Sequence, residues 1–218
     1  PTCLAFAMAL AAGKTELDLC PHVSEQARGE LSDASAPPIR QLSIGVDDYS
    51  VKVGGETVLF RHEKTFFNKP GIGVLITDAM DDPEVERRLD GLEYFRYERV
   101  GVTMRPEIAA IKFTGARDRF LGIVKKAAAR PCAVVLMCPD AAVMKEALDI
   151  VRDKKPLIYG ATRDNYEAFG ALAKEYGLPL AVIGIGFDDT ADLTGKLTAM
   201  GLKDLVIDTS TRGIRDAF

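Results

Sequence analysis

Histidine and cysteine are scarce in this sequence, two of one and four of the other in 218 residues. Four cysteines in a chain of mixed strand and helix character read as thiols or metal ligands, and a disulfide framework is excluded as the basis of the fold. A basic segment is also lacking. The 28 Lys and Arg set against 32 Asp and Glu leave a net charge of −4, with no local concentration of either sign. That argues against nucleic acid as a partner and against an anionic membrane surface. No apolar run approaches the ~20 residues that a membrane span needs. The opening LAFAMALAAG has the apolar character of a signal-peptide core, but no basic residue precedes it and two cysteines frame it. Several catalytic signatures are missing too: the P-loop, HExxH and the nucleophile elbow. IGIGFDD (183–189) holds Gly184 and Gly186 but no third glycine at the required place, so a dinucleotide fingerprint is absent.

What the sequence does contain is an architectural repeat. Short apolar runs AAIKF, AVVLM, LIYGA, AVIGI and LVID begin at Ala109, Ala133, Leu157, Ala181 and Leu205, each 24 residues after the last. Runs this short and this continuously apolar read as parallel strands buried on both faces. The amphipathic segments between them have the length of a strand-to-strand crossover. GVLITDA (73–79) reads as an earlier strand of the same kind, followed by Asp82 and Pro83 as a helix start. The spacing therefore predicts an α/β fold, a (β/α) TIM-type barrel with strands near 73–79, 109–113, 133–138, 157–161, 181–185 and 205–208. About eight strands close such a barrel. Either Tyr97–Met104 and a hairpin complete it or it is left open at its carboxyl end. Expected helix caps are Asp118, Asp140, Asn165 and Asp189, and Gly177 and Gly201 suit the left-handed position that ends the last two helices.

Residues 1–23 differ in character. Leu4 to Ala12 are nine consecutive apolar residues favouring helix, ended by Gly13. Such a helix is apolar all round and must be buried against something. Cys3 and Cys20 bracket it, and Cys20 is followed by Pro21, as in the last ligand of ferredoxin cluster motifs. Spacing alone leaves open a pair of unrelated thiols. Residues 24–41 are small and polar and end in Pro37-Pro38, a linker composition. From Leu42 the pattern alternates, and Gly54-Gly55 between Val51–Val53 and Val58–Phe60 fits a hairpin turn. The expected domains are thus 1–23, a linker at 24–41, and a hairpin-plus-barrel domain at 42–218. His62, beside Arg61 and Glu63, reads as a structural or surface residue.

PTCLAFAMALAAGKTELDLCP, the segment FRHEKTFFNKP (60–70) and the block KPLIYGATRDNYEAFGALAKEYGLPLAVI together resemble the large (gamma) subunit of the corrinoid iron–sulfur protein of the CO dehydrogenase/acetyl-CoA synthase system. Linker, hairpin and barrel follow in that family's order. The resemblance implies that Cys3 and Cys20 are the third and fourth ligands of a [4Fe-4S] cluster, with the other two before Pro1. It also implies a cobamide bound by a further domain after Phe218, so the sequence is expected to be an excerpt. The implied partners are the small corrinoid iron–sulfur protein subunit, a methyltransferase and acetyl-CoA synthase, in the cytoplasm. The implied function is carriage of a methyl group on cobalt. The alternative is a barrel enzyme that binds a pterin or phosphate at its rim and transfers methyl itself.

In βα folds ligands meet residues just past the strand carboxyl ends. Here that rim would hold Asp78, Thr114, Cys138, Thr162, Arg163, Asp188, Asp208 and Thr209. Polar residues at that place are ordinary, and none of them is assigned a role on sequence alone. Cys132 and Cys138 lie about 20 Å apart along one strand, at ~3.3 Å per residue, and read as buried thiols.

Overall fold

The computed structural model describes residues 2–11, 15, 19–22, 24, 40–55 and 68–213. The chain divides into two compact units, one holding the amino-terminal helix and one holding a hairpin and the βα array. The helix, α1 (Cys3–Ala11), starts from Thr2, whose Oγ1 accepts from the N–H of Ala5 at 3.4 Å. Its Leu4 and Met8, one turn apart, are 72% and 67% exposed. The burial that an all-round apolar helix calls for is not met among the described residues. Most of the expected linker, the strand at 58–60 and His62 lie outside the described residues.

The second unit opens with β1 (Leu42–Ile44) and β2 (Val51–Val53), paired antiparallel with Leu42 opposite Val53. Val51–Val53 therefore pairs with the strand before it, across the turn of Gly45 to Ser50. The expected partner after Gly54-Gly55 lies outside the described residues. Then come β3 (Gly73–Thr77), α2 (Asp82–Tyr94), β4 (Tyr97–Arg99), β5 (Val102–Met104) and β6 (Ile108–Lys112). The array continues with α3 (Arg117–Ala128), β7 (Ala133–Met137), α4 (Ala141–Val151) and β8 (Leu157–Ala161). It ends with α5 (Tyr166–Tyr176), β9 (Leu180–Ile183), α6 (Gly186–Ala199) and β10 (Leu205–Asp208).

Six strands, β3 and β6 to β10, form one wholly parallel sheet in chain order, each bonded to its sequence neighbour. That is the order of successive staves in a (β/α) barrel. Among the described residues the sheet does not close: β3 and β10 are its two free edges. Tyr97–Met104 does not supply a stave. Val100 and Gly101 both take positive φ, 50° and 74°, in a two-residue turn that folds β4 back on β5 as a separate ladder. At the β3 edge the guanidinium of Arg88 donates to the carbonyl of Leu75, satisfying a group that a ladder partner would otherwise bond.

The two faces of the sheet bury different partners. Helices α2 to α6 cover one face and enclose Ile76, Ile111, Leu136, Ile158, Phe169, Leu180 and Leu193, all fully buried. On the opposite, inner face, smaller residues (Ala133, Val135, Ala181) leave room for Leu42, Ile44 and Val51 of the hairpin. The hairpin enters at the amino-terminal ends of the strands, where the N–H of Gly45 donates to the carbonyl of Lys155 at 3.0 Å. Gly45 takes φ +93° there, and an added Cβ would lie 3.0 Å from Ala133. The hairpin thus stoppers the bottom of the inner face, and among the described residues the carboxyl-terminal rim stays open.

Close approach also fixes the last crossover. A Cβ on Gly184 would sit inside van der Waals contact of Thr190 Oγ1 and 2.7 Å from the Cα and N of Thr190. These are backbone atoms of α6, so the helix itself would have to move. Gly184→Ala is expected to destabilise the domain by about 2–3 kcal/mol, read as a lower urea midpoint at unchanged slope. A change within ~0.5 kcal/mol would mean that α6 is free to shift.

Candidate functional site

Three rim loops are tied down by the chain's own polar groups. Asp78, just past β3, is 2% exposed, and its carboxylate accepts from Thr114 N at 2.7 Å, Gly115 N at 3.1 Å, Ala116 N at 2.7 Å and the Thr114 hydroxyl. Burial pushes this carboxyl up, but the Thr114 hydroxyl and the Ala116 and Thr114 N–H groups outweigh it, so the group lies below the usual carboxylate range. Asp78 and Thr114 are therefore framework: they hold the loop that launches α3. After β8, the side-chain oxygen of Asn165 accepts from Thr162 N at 2.7 Å and Thr162 Oγ1 at 3.1 Å. After β9, Asp189 accepts from Ile185 N at 2.9 Å and from Arg163 Nε at 2.9 Å. The amino terminus of α6 is thus answered by its own carboxylate.

These bonds revise the expected caps. Asp140 caps fully as expected, accepting from Ala142 N at 2.8 Å and Val143 N at 3.2 Å at the start of α4. Asp118 lies inside α3, whose cap position is Ala116; Asn165 holds the expected cap position of α5, but its side chain turns back to Thr162. Asp189 sits within α6 and reaches back one turn. Gly177 and Gly201 do take the left-handed position, at φ +63° and +91°.

Between these loops a cleft of about 520 Å³ opens over the tops of β6 to β9. Lys112, Met137 and Tyr159 face it from successive inner-face positions, paired in register across β6, β7 and β8. Phe113, Pro139 and Ile183 give it apolar walls, and Phe113 is held edge-on to the ring of Phe120, centroids 5.5 Å apart. Asp208 anchors two of the lining residues, Tyr159 and Arg212. It accepts from the Tyr159 hydroxyl, from Ser210 N at 2.8 Å and from Arg212 at 2.9 and 2.7 Å. Arg212 first, with help from Tyr159 and Ser210, holds the Asp208 carboxyl well below the usual range against the opposing effect of burial. Burial and the neighbouring Asp208 push the Tyr159 phenol up to about 12. Burial pushes the Cys138 thiol up to about 11. Both shifts favour the protonated form at neutral pH.

Of the other rim residues picked out in the sequence, Arg163 pairs with Asp189, Asp188 is exposed, and Thr209 shares a hydrogen bond with Thr211 at 3.2 Å. Lys112, Tyr159 and Arg212 were not singled out in the sequence. The signal for the first two was the inner-face alternation itself, which puts Lys112 and Tyr159 on the same side as Met137.

The thiols fall into two classes. Cys132 and Cys138 are buried on the helix-facing side at either end of β7. Cys3 is exposed at the first position of α1 and Cys20 is half-buried. Among the described residues no group of three or more His, Cys, Asp or Glu side chains is placed to hold a metal ion. Two thiols supply half of what a [4Fe-4S] cluster takes.

A family profile described as "CO dehydrogenase/acetyl-CoA synthase delta subunit" matches residues 41–218, which is the whole hairpin and βα array. The chain belongs to this family. A second profile, described as "Putative Fe-S cluster", matches residues 1–22. The corrinoid/iron-sulfur protein large subunit of Moorella thermoacetica is 42% identical over 214 residues, covering 97% of this chain and 48% of that protein. Subunit gamma 2 of the acetyl-CoA decarbonylase/synthase complex of Methanosarcina thermophila is 34% identical, covering all of this chain and 49% of that protein. The gamma subunit from Archaeoglobus fulgidus is 35% identical over 220 residues. The chain spans about half the length of these curated relatives. The resemblance read from the half-motif, the hairpin segment and the strand blocks is thereby borne out. In this CO dehydrogenase/acetyl-CoA synthase family member, the open rim and free sheet edges described above belong to the profile-matched segment.

Proposed function

We propose that this chain is part of a methyl-group carrier subunit of the reductive acetyl-CoA pathway. In that role it passes methyl, carried on a cobamide, from a methyltetrahydrofolate or methyltetrahydropterin methyltransferase to acetyl-CoA synthase. The single observation that carries the reading is the ordered double match, an iron–sulfur profile at 1–22 and the subunit profile at 41–218, in a chain 42% identical to a corrinoid/iron-sulfur protein large subunit. The chemistry of the rim is in keeping with a carrier: burial pushes the Cys138 thiol and the Tyr159 phenol up, so both keep their protons at neutral pH. In this reading Cys3 and Cys20 are two of four thiolate ligands to a [4Fe-4S] cluster, the other two lying upstream of Pro1. The cluster, when bound, supplies the electron that returns oxidised cobalt to its reactive state. The cobamide belongs to a further domain, and the small corrinoid iron–sulfur protein subunit is the heterodimer partner. A cytoplasmic setting belongs to the same proposal; among the described residues no helix is long and apolar enough to cross a membrane.

The test is reconstitution. A chain extended upstream to include two further cysteines should take up four irons per chain under anaerobic conditions and give a reducible electron paramagnetic resonance signal. The chain of residues 1–218 should stay colourless. Failure of the extended protein to bind iron would remove the carrier reading and favour the barrel-enzyme alternative.

A further inference from the structure

The rim cleft has a surplus of hydrogen-bond donors. The Tyr159 hydroxyl donates its hydrogen bond to Asp208, both bonded Arg212 nitrogens are on the same carboxylate, and Thr162 donates its hydroxyl hydrogen bond to Asn165. The N–H of Thr162 can only donate, which fixes the Asn165 oxygen towards it and leaves the Asn165 amide nitrogen, with two protons, uncommitted among the described residues. Lys112 has no hydrogen-bond or ion-pair partner among the described residues, and its ammonium brings three more donors. Among the described residues Asp208 is the one carboxylate bonded to a lining side chain, and Arg212 pairs with it; the Asp78 and Asp140 carboxylates also act on the Cys138 thiol, and backbone N–H groups take both up. The Cys138 thiol adds no charge. The lining side chains thus offer more donors than acceptors, and Lys112 is the lining cation that no carboxylate pairs among the described residues. Its remaining walls, Phe113, Met137, Pro139 and Ile183, are apolar, and the Phe113 ring is braced by Phe120.

We infer that this cleft binds a small organic anion, a carboxylate or phosphate ester carried on an aromatic body, with Lys112 meeting the charge and the ring lying against Phe113, Met137 and Ile183. A volume of about 520 Å³ falls in the usual range for small-molecule sites. The position, above the carboxyl ends of parallel strands with the amino ends stoppered by the hairpin, is where βα folds receive ligands. The inference stands apart from the carrier reading, because no iron ligand or cobalt chemistry enters it.

Calorimetric titration of the 218-residue chain at low ionic strength tests it with four probes: benzoate, phenyl phosphate, acetate and inorganic phosphate. The two ring-bearing probes should saturate one site, and their ringless counterparts should bind about ten-fold more weakly or less, since they leave the apolar walls wet. Benzoate against phenyl phosphate decides which head group is preferred. Lys112→Met, which keeps the side-chain length and removes the charge, should weaken the better probe at least ten-fold, while Lys112→Arg should hold it within about three-fold. Urea midpoints of both variants, matched to the parent, separate loss of binding from loss of fold. The inference is overturned by any of three results: no saturable binding of either ring-bearing probe, equal binding with and without the ring, or affinity unchanged in Lys112→Met.

Discussion

In the chain extended to four amino-terminal cysteines, Cys20→Ala is expected to strip most of the iron and abolish the cluster's electron paramagnetic resonance signal. The same substitution at Cys132 or Cys138 should leave both unchanged. A cubane held by three thiolates has one iron open to solvent and to exchange, so loss of a single ligand weakens the whole assembly. The contrast between the cysteines follows from where they sit. Cys3 is exposed and Cys20 half-buried in the amino-terminal unit, whereas Cys132 and Cys138 are 3% and 2% exposed within the helix-facing core. Burial also raises the thiol pKa of both core cysteines, to about 11 for Cys138, so they stay protonated where a ligand must be a thiolate. Iron content measured on all four single variants gives the answer directly. An unchanged cluster in Cys20→Ala, or its loss in Cys138→Ala with the fold intact, would move the ligand set elsewhere.

Asp78→Ala should be the most damaging rim substitution for stability, at about 3 kcal/mol. It removes the acceptor of three backbone N–H groups and one hydroxyl from a nearly sealed position, and alanine offers nothing in return. Asp78→Asn keeps the shape but turns half the carboxylate into a donor facing N–H groups, so it should recover little. Because the folded carboxyl lies below its unfolded value, the stability it contributes is fully present above the unfolded pKa. That contribution is lost as pH falls through the folded value. The parent should therefore lose stability relative to Asp78→Ala on acidification below about pH 4, and the gap between the two should narrow. Urea denaturation of both proteins at neutral and acid pH measures it. A gap that persists undiminished below the folded pKa would show that the carboxylate's charge is not what holds the loop.

The sheet was legible because its strands are buried on both faces, so their apolar runs stand out without help from alternation. All six expected strands occur and all are parallel, with ends within two residues of the runs at Ala133, Leu157, Ala181 and Leu205. The caps were read less well, since an Asp or Asn near a helix start has several backbone groups within reach. Asn165 bonds Thr162 and Asp189 bonds Ile185, choices set by loop shape that composition does not record. Tyr97–Met104 looked like one extended run, and only the positive φ of Val100 and Gly101 shows it doubled back. The rim cluster was least legible of all. Tyr159 and Asp208 are 49 residues apart, and only the stagger of β8, β9 and β10 brings them together. The cysteine half-motif was visible only as a spacing, and its meaning came from likeness to a family.

The hairpin that stoppers the amino-terminal ends of the strands carries a consequence for the order of assembly. Each stave of the sheet pairs with one formed shortly before it, so the array is built from near-neighbour contacts and can grow stepwise as it leaves the ribosome. The hairpin breaks that rule. Gly45 bonds Lys155, and Leu42, Ile44 and Val51 pack on Val135 and Leu157, so the earliest-made strands wait for roughly a hundred residues to follow before they have a seat. Until β7 and β8 exist, three apolar side chains stand in water, and a nascent chain paused there is where a chaperone finds its best purchase.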